Sequence, residues 1–249
     1  MTGRSGPLEE LRAELLDGGV APSVVALEEA RVQRITHEAD QAVRRMANVR
    51  RGVAIFGSAR ELPAVRWGSI AGETARSLAE AGFAVITGGG PGLMAAANAG
   101  ALQGHGTSVG LTIHLPSGEP SNQFLTLRVP FHYFFLRKFA FVKYACAFVI
   151  LPGGYGTLDE LFEALNLRRT HRLEPFPVIL VGSEYWDGLL TWLRTAGVAS
   201  GTISADDLGL LSVTDDPAEA VRIVVACHAE LCRALGIKDN FEQAHQGDP

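Results

Sequence analysis

The feature that most constrains the fold is an apolar run that ends in a glycine-rich loop and leads into a helical pattern. The run covers residues 147–151, and apolar side chains recur at helical spacing from Thr157 onward. This order predicts a buried strand, a tight loop and the start of a helix. Backbone N–H groups are free at a helix start and the helix dipole favours an anion there, while glycines let a phosphate approach closely. The loop itself reads Pro152, Gly153, Gly154, Tyr155 and Gly156.

Thr157 and Glu160 allow two interpretations. Their spacing fits a capping box, in which the threonine oxygen and the glutamate each satisfy a backbone N–H at the helix start. A capping box needs no Pro-Gly-Gly-x-Gly loop before it, whereas a loop that surrounds a phosphate does. The loop therefore favours a functional site, in which Glu160, one turn inside the helix, acts on the molecule that carries the phosphate.

Apolar runs alternate with helical patterns over most of the chain. The runs are apolar on both faces, which predicts an α/β fold: a doubly wound, Rossmann-like parallel sheet with helices on both faces. Ligands bind such sheets at the carboxyl ends of the strands, where glycine-containing loops at 57–60, 88–92 and 152–157 should converge. The predicted strands cover residues 52–56, 83–87, 107–113, 124–129, 147–151, 176–181 and 208–213.

The chain divides into three segments. Residues 1–51 form a helical N-terminal arm, whose main helix covers 23–48 with Ser23 as its N-cap. Residues 52–236 form a Rossmann-like nucleotide-binding catalytic domain, and residues 237–249 form a polar tail. The arm packs either on a partner subunit or on its own domain, and the sequence does not separate these two arrangements.

Composition and charge argue against several classes of function. The net charge of −5 provides no basic surface for nucleic acid. Three cysteines without metal-ligand spacing indicate a reducing compartment and no metal site. The sequence shows neither a signal peptide nor an apolar run long enough to cross a membrane, so we expect a cytoplasmic protein without a membrane partner.

The second glycine loop does not fit the common nucleotide-binding motifs. Gly90, Gly92 and Ala95 match a relaxed G-x-G-x-x-A pattern, but Thr112 and His114 stand where a ribose-binding acid is expected. No Gly-Lys-Ser/Thr follows either loop, so there is no Walker A motif. The sequence therefore argues against NAD-dependent hydride transfer and ATP hydrolysis. A tight strand-to-helix turn with close packing explains this loop as well as a ligand does.

Two cations lie among aromatic residues just before the central strand. Arg137 and Lys138 belong to a predicted helix over 133–144 that carries aromatic side chains nearly all round. Both charges could simply extend from a buried helix toward solvent. Alternatively, Arg137 faces the ligand, because its planar, permanently charged guanidinium suits a phosphate or a departing base.

Together these motifs resemble the LOG family, the cytokinin-activating nucleoside 5′-monophosphate phosphoribohydrolases long labelled "possible lysine decarboxylase". The family signatures are an Arg-Lys helix and P-G-G-x-G-T-x-x-E, which correspond here to Arg137, Lys138 and residues 152–160. Residues 57–60 and 88–94 resemble the two other ligand loops of the family.

The chain departs from the family pattern in three places. Asp159 stands where the first glutamate of a Glu-Glu pair is common, and residues 134–136 replace the usual Met-His-x before the Arg-Lys pair. The resemblance covers roughly residues 53–213, so the arm at 1–51 lies outside it. These differences indicate a longer branch of the family.

The resemblance implies hydrolysis of the N-glycosidic bond of a nucleoside 5′-monophosphate, AMP-like or a cytokinin riboside monophosphate, to free base and ribose 5-phosphate. It implies Arg137 and Glu160 as catalytic residues, no cofactor, and a homodimer or higher homo-oligomer. The crowded aromatic residues of 131–141 also favour a subunit interface. The expected substrate-binding residues are Gly57, Ser58, Gly89, Gly90, Gly92, Met94, Lys138, Gly153, Gly154, Gly156 and Thr157.

Two other functions compete with this one. A protein that binds or senses a nucleotide with little turnover would need the glycine loops but not Glu160. A pyridoxal-phosphate decarboxylase would need a Schiff-base lysine. Of the three lysines, Lys138, Lys143 and Lys238, only the first is near the loops, and pairing with the neighbouring arginine explains it better. The presence of both Arg137 and Glu160 favours the hydrolase.

Overall fold

The computed structural model describes residues 22–60, 66–114, 120–170 and 176–236; the predicted polar tail and the start of the arm lie outside these ranges. Within them, seven strands form one sheet with helices on both faces. The strands are β1 (Gly52–Phe56), β2 (Ala84–Thr87), β3 (Ser108–Ile113), β4 (Leu127–Phe131), β5 (Ala145–Ile150), β6 (Val178–Val181) and β7 (Leu211–Thr214). The helices are α1 (Pro22–Met46), α2 (Arg66–Glu80), α3 (Leu93–Gln103), α4 (Phe134–Tyr144), α5 (Tyr155–Arg169), α6 (Ser183–Trp192) with a π-helical continuation (Leu193–Val198), α7 (Ala205–Leu208) and α8 (Pro217–Ala234).

The order of the strands in the sheet is β4-β3-β2-β1-β5-β6-β7, and every pair of neighbours is parallel. The chain starts in the middle of the sheet, builds outward to β4, and then returns to continue on the other side from β5. This confirms the predicted doubly wound sheet and places its switch point between β1 and β5. Ligands of such sheets bind where the loops after these two strands diverge.

Each face of the sheet has its own apolar core. Val53 and Ile55 of β1 belong to the core shared with α2, α3 and α8. Ala54 and Phe56 of the same strand belong to the core shared with α1, α4 and α5. This alternation follows the two-residue period of a strand, and burial on both faces explains why the strands read as continuous apolar runs.

Helix α1 packs on its own domain and covers the edge strand β4. The Glu38 carboxylate accepts hydrogen bonds from the backbone N–H groups of His132 (2.9 Å) and Tyr133 (3.1 Å), which follow β4. Arg45 donates to the carbonyl of Arg128 within β4 at 3.2 Å. The described part of the arm thus packs on its own domain, which is one of the two arrangements that the sequence left open.

The fourth strand begins later than predicted. It covers Leu127–Phe131 rather than residues 124–129. The side chain of Asn122 accepts a hydrogen bond from the backbone N–H of Phe124 at 3.0 Å, which holds this part of the chain in a turn. A local side-chain contact thus competes with strand pairing, and apolar composition alone does not reveal it.

Two further boundaries differ from the prediction. Helix α1 already includes Pro22, so Ser23 lies inside the helix and is not its N-cap. Strand β7 begins at Leu211 rather than at Leu208, because Leu208 is the last residue of α7. That short helix is stabilised by a capping box between Ser204 and the third residue of the helix, which fixes its start.

Helices α2 and α3 cross at a point where only glycine fits. A Cβ on Gly100 would lie 2.0 Å from the backbone oxygen of Gly72, so any side chain there would force the two helices apart. We expect Gly100→Ala to lower the free energy of unfolding by at least about 2 kcal/mol, measured by denaturant titration.

The matched control is Gly188→Ala. Gly188 also lies within a helix, but an added Cβ would meet nothing within 4 Å. Since alanine favours the helix over glycine, this change should leave stability unaltered or raise it by up to about 1 kcal/mol. Equal effects of the two substitutions would contradict the close crossing of α2 and α3.

Candidate active site

The loops after β1, β2 and β5 meet helix α4 around a cavity of about 710 Å³. The cavity lies at the carboxyl edge of the sheet, where the sequence places the ligand. Four predicted site residues do not line it: Gly89, Gly90, Gly92 and Lys138. Those that do are Gly57, Ser58, Met94, Arg137, Gly153, Gly154, Gly156, Thr157 and Glu160.

The main chain of Ser58 joins the three loops. Its N–H donates to the carbonyl of Pro152 at 3.0 Å, and its carbonyl accepts from the N–H of Leu93 at 2.9 Å. The first bond ties the loop after β1 to the loop after β5, and the second ties it to the start of α3. The three loops therefore form one connected rim around the cavity.

Most of the second glycine loop has a packing role. Gly92 has a φ of 66°, and a Cβ there would lie 2.4 Å from the carbonyl oxygen of Ser58. Gly89 has a φ of 68°, and its Cβ would lie 2.7 Å from the Thr112 side chain. Close packing thus explains these two glycines, whereas Gly88 of the same loop lines the cavity.

Helix α5 begins at Tyr155, two residues before the predicted start, and the capping box is absent. Gly154 is the N-cap, it provides no side chain, and its carbonyl accepts from the N–H groups of Thr157 and Leu158, both at 3.0 Å. The N–H groups of Tyr155 and Gly156 precede these bonds and lie in the first turn, where an α-helix offers them no acceptor. The helix start therefore leaves backbone donors beside the cavity.

Glu160 is a buried carboxyl group that lines the cavity. It is 5% exposed. Burial raises the pKa of the Glu160 carboxyl to about 7, and the nearby charges of Lys138 and Arg137 oppose this rise. Near neutral pH the group can therefore hold or release a proton, as a general acid or base requires.

The Arg137 guanidinium lines the same cavity and is held between aromatic rings. Its central carbon lies 5.1 Å from the centroid of Phe134 and 6.0 Å from that of Phe141. Burial lowers the pKa of Arg137, and the charge of Glu160 opposes this, so the side chain stays cationic. Its Nε is buried and makes no hydrogen bond within the described ranges, which leaves a donor for a ligand.

Lys138 points away from the cavity. Its Nζ lies 2.9 Å from the Asp159 carboxylate and 3.2 Å from that of Glu163, so it joins α4 to α5. Lys138 therefore does not line the cavity beside Arg137, because consecutive residues of a helix point about 100° apart, and its contact with a substrate stays a prediction. Its charge acts on Glu160 without lining the site.

Sequence reasoning missed two parts of the site. Tyr185 of α6 lines the cavity, and its hydroxyl donates to the carbonyl of Gly153 at 2.7 Å. Phe56 and Phe141 form an apolar wall, with ring centroids 4.7 Å apart. The one available signal for Tyr185 was its position after β6, a strand that ends at the same edge of the sheet as β5.

The described ranges hold neither a metal-binding cluster nor a membrane-spanning helix. No group of three or more His, Cys, Asp or Glu side chains is arranged there to hold a metal ion. None of the helices in those ranges is long and apolar enough to span a bilayer.

Comparison with known proteins links this chain to a family. Residues 94–224 match the family model described as "Possible lysine decarboxylase". A protein named cytokinin riboside 5′-monophosphate phosphoribohydrolase from Rhodococcoides fascians is 29% identical over 154 residues, 59% of this chain and 76% of that protein. One of the same name from Mycobacterium tuberculosis is 38% identical over 79 residues, 30% of this chain but only 40% of that protein.

Solved structures share the fold. The Moco carrier protein from Chlamydomonas reinhardtii superposes with a TM-score of 0.54 at 20% identity, over 73% of this chain and 99% of that one. The molybdenum cofactor binding protein from Rippkaea orientalis gives 0.51 at 19% identity, over 76% of this chain and 98% of that one. At such identities the likeness concerns the fold alone.

Fold and cavity define a doubly wound α/β protein with a cavity at the switch point of its sheet. The chain belongs to the LOG family, since the family model matches more than half of its length. Proteins named as phosphoribohydrolases of nucleoside monophosphates are among its relatives.

The buried carboxyl predicts a pH-dependent cost to stability. Because the pKa of Glu160 is about 7 when folded and near its ordinary value of 4.5 when unfolded, the folded state binds the proton more tightly. Stability is therefore lost as pH rises from about 4.5 to 7. We expect Glu160→Gln to be more stable than the wild type above pH 7, by up to about 3 kcal/mol, and to show little difference near pH 4.5.

Urea titrations at several pH values measure this difference. Glu73→Gln, on the exposed side of α2, is the control, and its effect should stay constant over the same range. If the effect of Glu160→Gln is equally constant over this pH range, burial does not raise the pKa of the Glu160 carboxyl.

Proposed function

We propose that the protein hydrolyses the N-glycosidic bond of a nucleoside 5′-monophosphate to free base and ribose 5-phosphate. The observation that carries this proposal is that Glu160, Arg137 and the start of α5 line one cavity. The proposed substrates are AMP-like nucleotides or cytokinin riboside monophosphates, the second class being the one for which the relatives are named.

The phosphate is proposed to bind at the start of α5. Backbone donors at Tyr155 and Gly156 and the positive end of the helix dipole suit an anion there. Glu160 lies one turn further along the same helix. A nucleotide held by its phosphate would therefore present its ribose to this carboxyl group. The ribose and the carboxyl would then meet in a fixed geometry rather than by chance.

Glu160 is proposed to act on the sugar. As the bond between C1′ and the base nitrogen breaks, its electron pair leaves with the base and positive charge develops on the ribose. A carboxylate stabilises this charge in a buried site and takes a proton from the water whose oxygen attacks C1′. The proton then passes to the departing base, which leaves the carboxylate ready for another cycle.

Arg137 is proposed to stabilise the departing base. Its buried Nε has no acceptor within the described part of the chain, so it can donate to negative charge that develops on the leaving group. The apolar wall of Phe56 and Phe141 lies in the same cavity and suits a flat heterocycle. The base would then contact the arginine and the rings together.

A binding or sensing protein with little turnover is the second candidate. Its support is the set of glycine loops, which any nucleotide binder needs. The buried carboxyl of Glu160 favours the hydrolase, because a site that only holds an anionic nucleotide gains nothing from a second negative charge. Decarboxylation is not supported, since Lys138 is engaged by two carboxylates on α5.

The reaction is tested by chromatographic detection of free base from AMP, isopentenyladenosine monophosphate, GMP, CMP and UMP. We expect release from at least one purine nucleotide. Glu160→Gln should lower kcat at least about 100-fold through loss of the charge that stabilises the sugar. Arg137→Ala should lower kcat by a similar factor, because the leaving group then lacks its cation.

Glu73→Gln again serves as the control and should retain full activity, since it lies on α2 outside the cavity. Release of base that persists in Glu160→Gln would remove Glu160 from the reaction. No release from any nucleotide, with AMP still raising the melting temperature, would establish the second candidate instead.

We further propose that a second copy of the chain covers the surface formed by α4 and α5 beside the cavity. Large apolar side chains are 41–93% exposed on these two helices, which Lys138 joins by an ion pair. A monomer rarely exposes so many aromatic residues in one region. They are Phe134, Phe135, Phe139, Tyr155 and Phe162.

Sedimentation velocity at micromolar concentration tests this assembly. We expect the wild type to sediment as a dimer or larger, and Phe139→Glu to shift it to the monomer, because a charge cannot be buried there without a partner. Trp192→Glu, at a similarly exposed aromatic residue on α6, should leave the assembly intact. A monomeric wild type would contradict the proposal.

A further inference from the structure

We infer that Tyr185 is a positioning residue, which orients the peptide group between Gly153 and Gly154 so that the Gly154 N–H serves as a donor to the phosphate. This inference rests on the proposed function, because it assumes that the loop after β5 holds an anion. It assigns to α6 a part in the site that neither the glycine loop nor the Arg-Lys helix reveals.

The argument starts from the hydrogen bond between Tyr185 and the loop. The tyrosine hydroxyl donates to the carbonyl of Gly153 at 2.7 Å. A trans peptide is planar, so its C=O and N–H point in opposite directions. Fixing the Gly153 carbonyl toward α6 therefore directs the N–H of Gly154, in the same peptide, away from α6.

The preceding peptide is fixed in a similar way by the backbone. The carbonyl of Pro152 accepts the N–H of Ser58 at 3.0 Å, which sets the direction of the Gly153 N–H. Two successive peptide groups are thus held by their carbonyls, the first by a main chain and the second by a side chain. The second restraint can be removed by deleting a single side-chain hydroxyl.

The second peptide needs this restraint because glycine flanks it on both sides. Neither glycine carries a Cβ that would limit rotation about the bonds next to this peptide, although Gly153 lies close to Thr157, where a Cβ would be 2.0 Å from the hydroxyl oxygen. No other hydrogen bond to the Gly153 carbonyl is found in the described part of the chain. Without the tyrosine hydroxyl, the carbonyl could turn toward the phosphate and repel it.

Tyr185 is about half exposed, and contacts at the start of α6 hold its ring in place. Its ring packs edge-on against Trp186, with centroids 4.8 Å apart, and Trp186 is buried and donates from its indole to the Val181 carbonyl at 3.2 Å. Helix α6 follows Gly182, whose φ of 104° makes the turn from β6. A side chain anchored in this way can fix the loop rather than follow it.

The test compares Tyr185→Phe with the wild type in calorimetric titrations with ribose 5-phosphate and with inorganic phosphate. We expect about fivefold weaker binding of both anions, since one ordinary hydrogen bond that orients the donor is lost. In the base-release assay the KM for AMP should rise by a similar factor while kcat changes less than twofold, because the loop holds substrate and transition state alike.

The matched control is Tyr144→Phe, which removes a hydroxyl at the end of α4, outside the cavity. It should bind both anions like the wild type. Melting temperatures without ligand complete the comparison. A lower melting temperature of Tyr185→Phe with unchanged anion affinity, measured well below the transition, would show a purely structural role and overturn the inference.

The two proposals fail in different ways. If the wild type binds both anions and Tyr185→Phe binds them equally well, the positioning role is wrong and the phosphate loop stands. If the wild type binds neither anion, the assignment of the loop to a phosphate is wrong, and the role of Tyr185 falls with it.

Discussion

The main chain of one residue, Ser58, joins the loops around the cavity. Ser58 bonds to the loop after β5 through its N–H and to the start of α3 through its carbonyl. Both contacts require a close approach of main chains, and a Cβ on Gly92 would lie 2.4 Å from the Ser58 carbonyl. The glycine of the second loop is therefore needed to complete the rim, although it does not line the cavity. A substitution of Gly92 would therefore disturb the loops around the cavity, although Gly92 does not line it.

The second constraint is the Glu160 carboxyl group, which lines the cavity. Glu160 is almost fully buried, and burial raises its pKa to about 7. Arg137 on one side and Lys138 on the other limit this cost, the first from within the cavity and the second from an ion pair outside it. The two neighbouring cations of one helix thus differ in position, since Arg137 lines the cavity and Lys138 acts on the acid from outside it.

Local sequence patterns predicted most of the fold, whereas contacts between distant segments could not be predicted from them. The strands around Val53 and Val149 are continuous apolar runs, because both faces are buried, and this property is visible in the sequence. The bond from Tyr185 to Gly153 joins residues 32 positions apart, and it exists only because β6 lies beside β5. Lys138 was predicted to contact the ligand, because a sequence shows that a side chain is charged but not which way it points.

Helix α1 also limits the addition of further strands to the sheet at β4. Arg45 donates a hydrogen bond to a backbone carbonyl of β4, and Glu38 accepts hydrogen bonds from the two N–H groups that follow the strand. An incoming strand would have to displace both side chains before it could pair there. The opposite edge, β7, is only four residues long. Both edges of the described sheet therefore disfavour strand addition, and a variant in which this helix no longer contacts β4 would expose an unpaired strand edge.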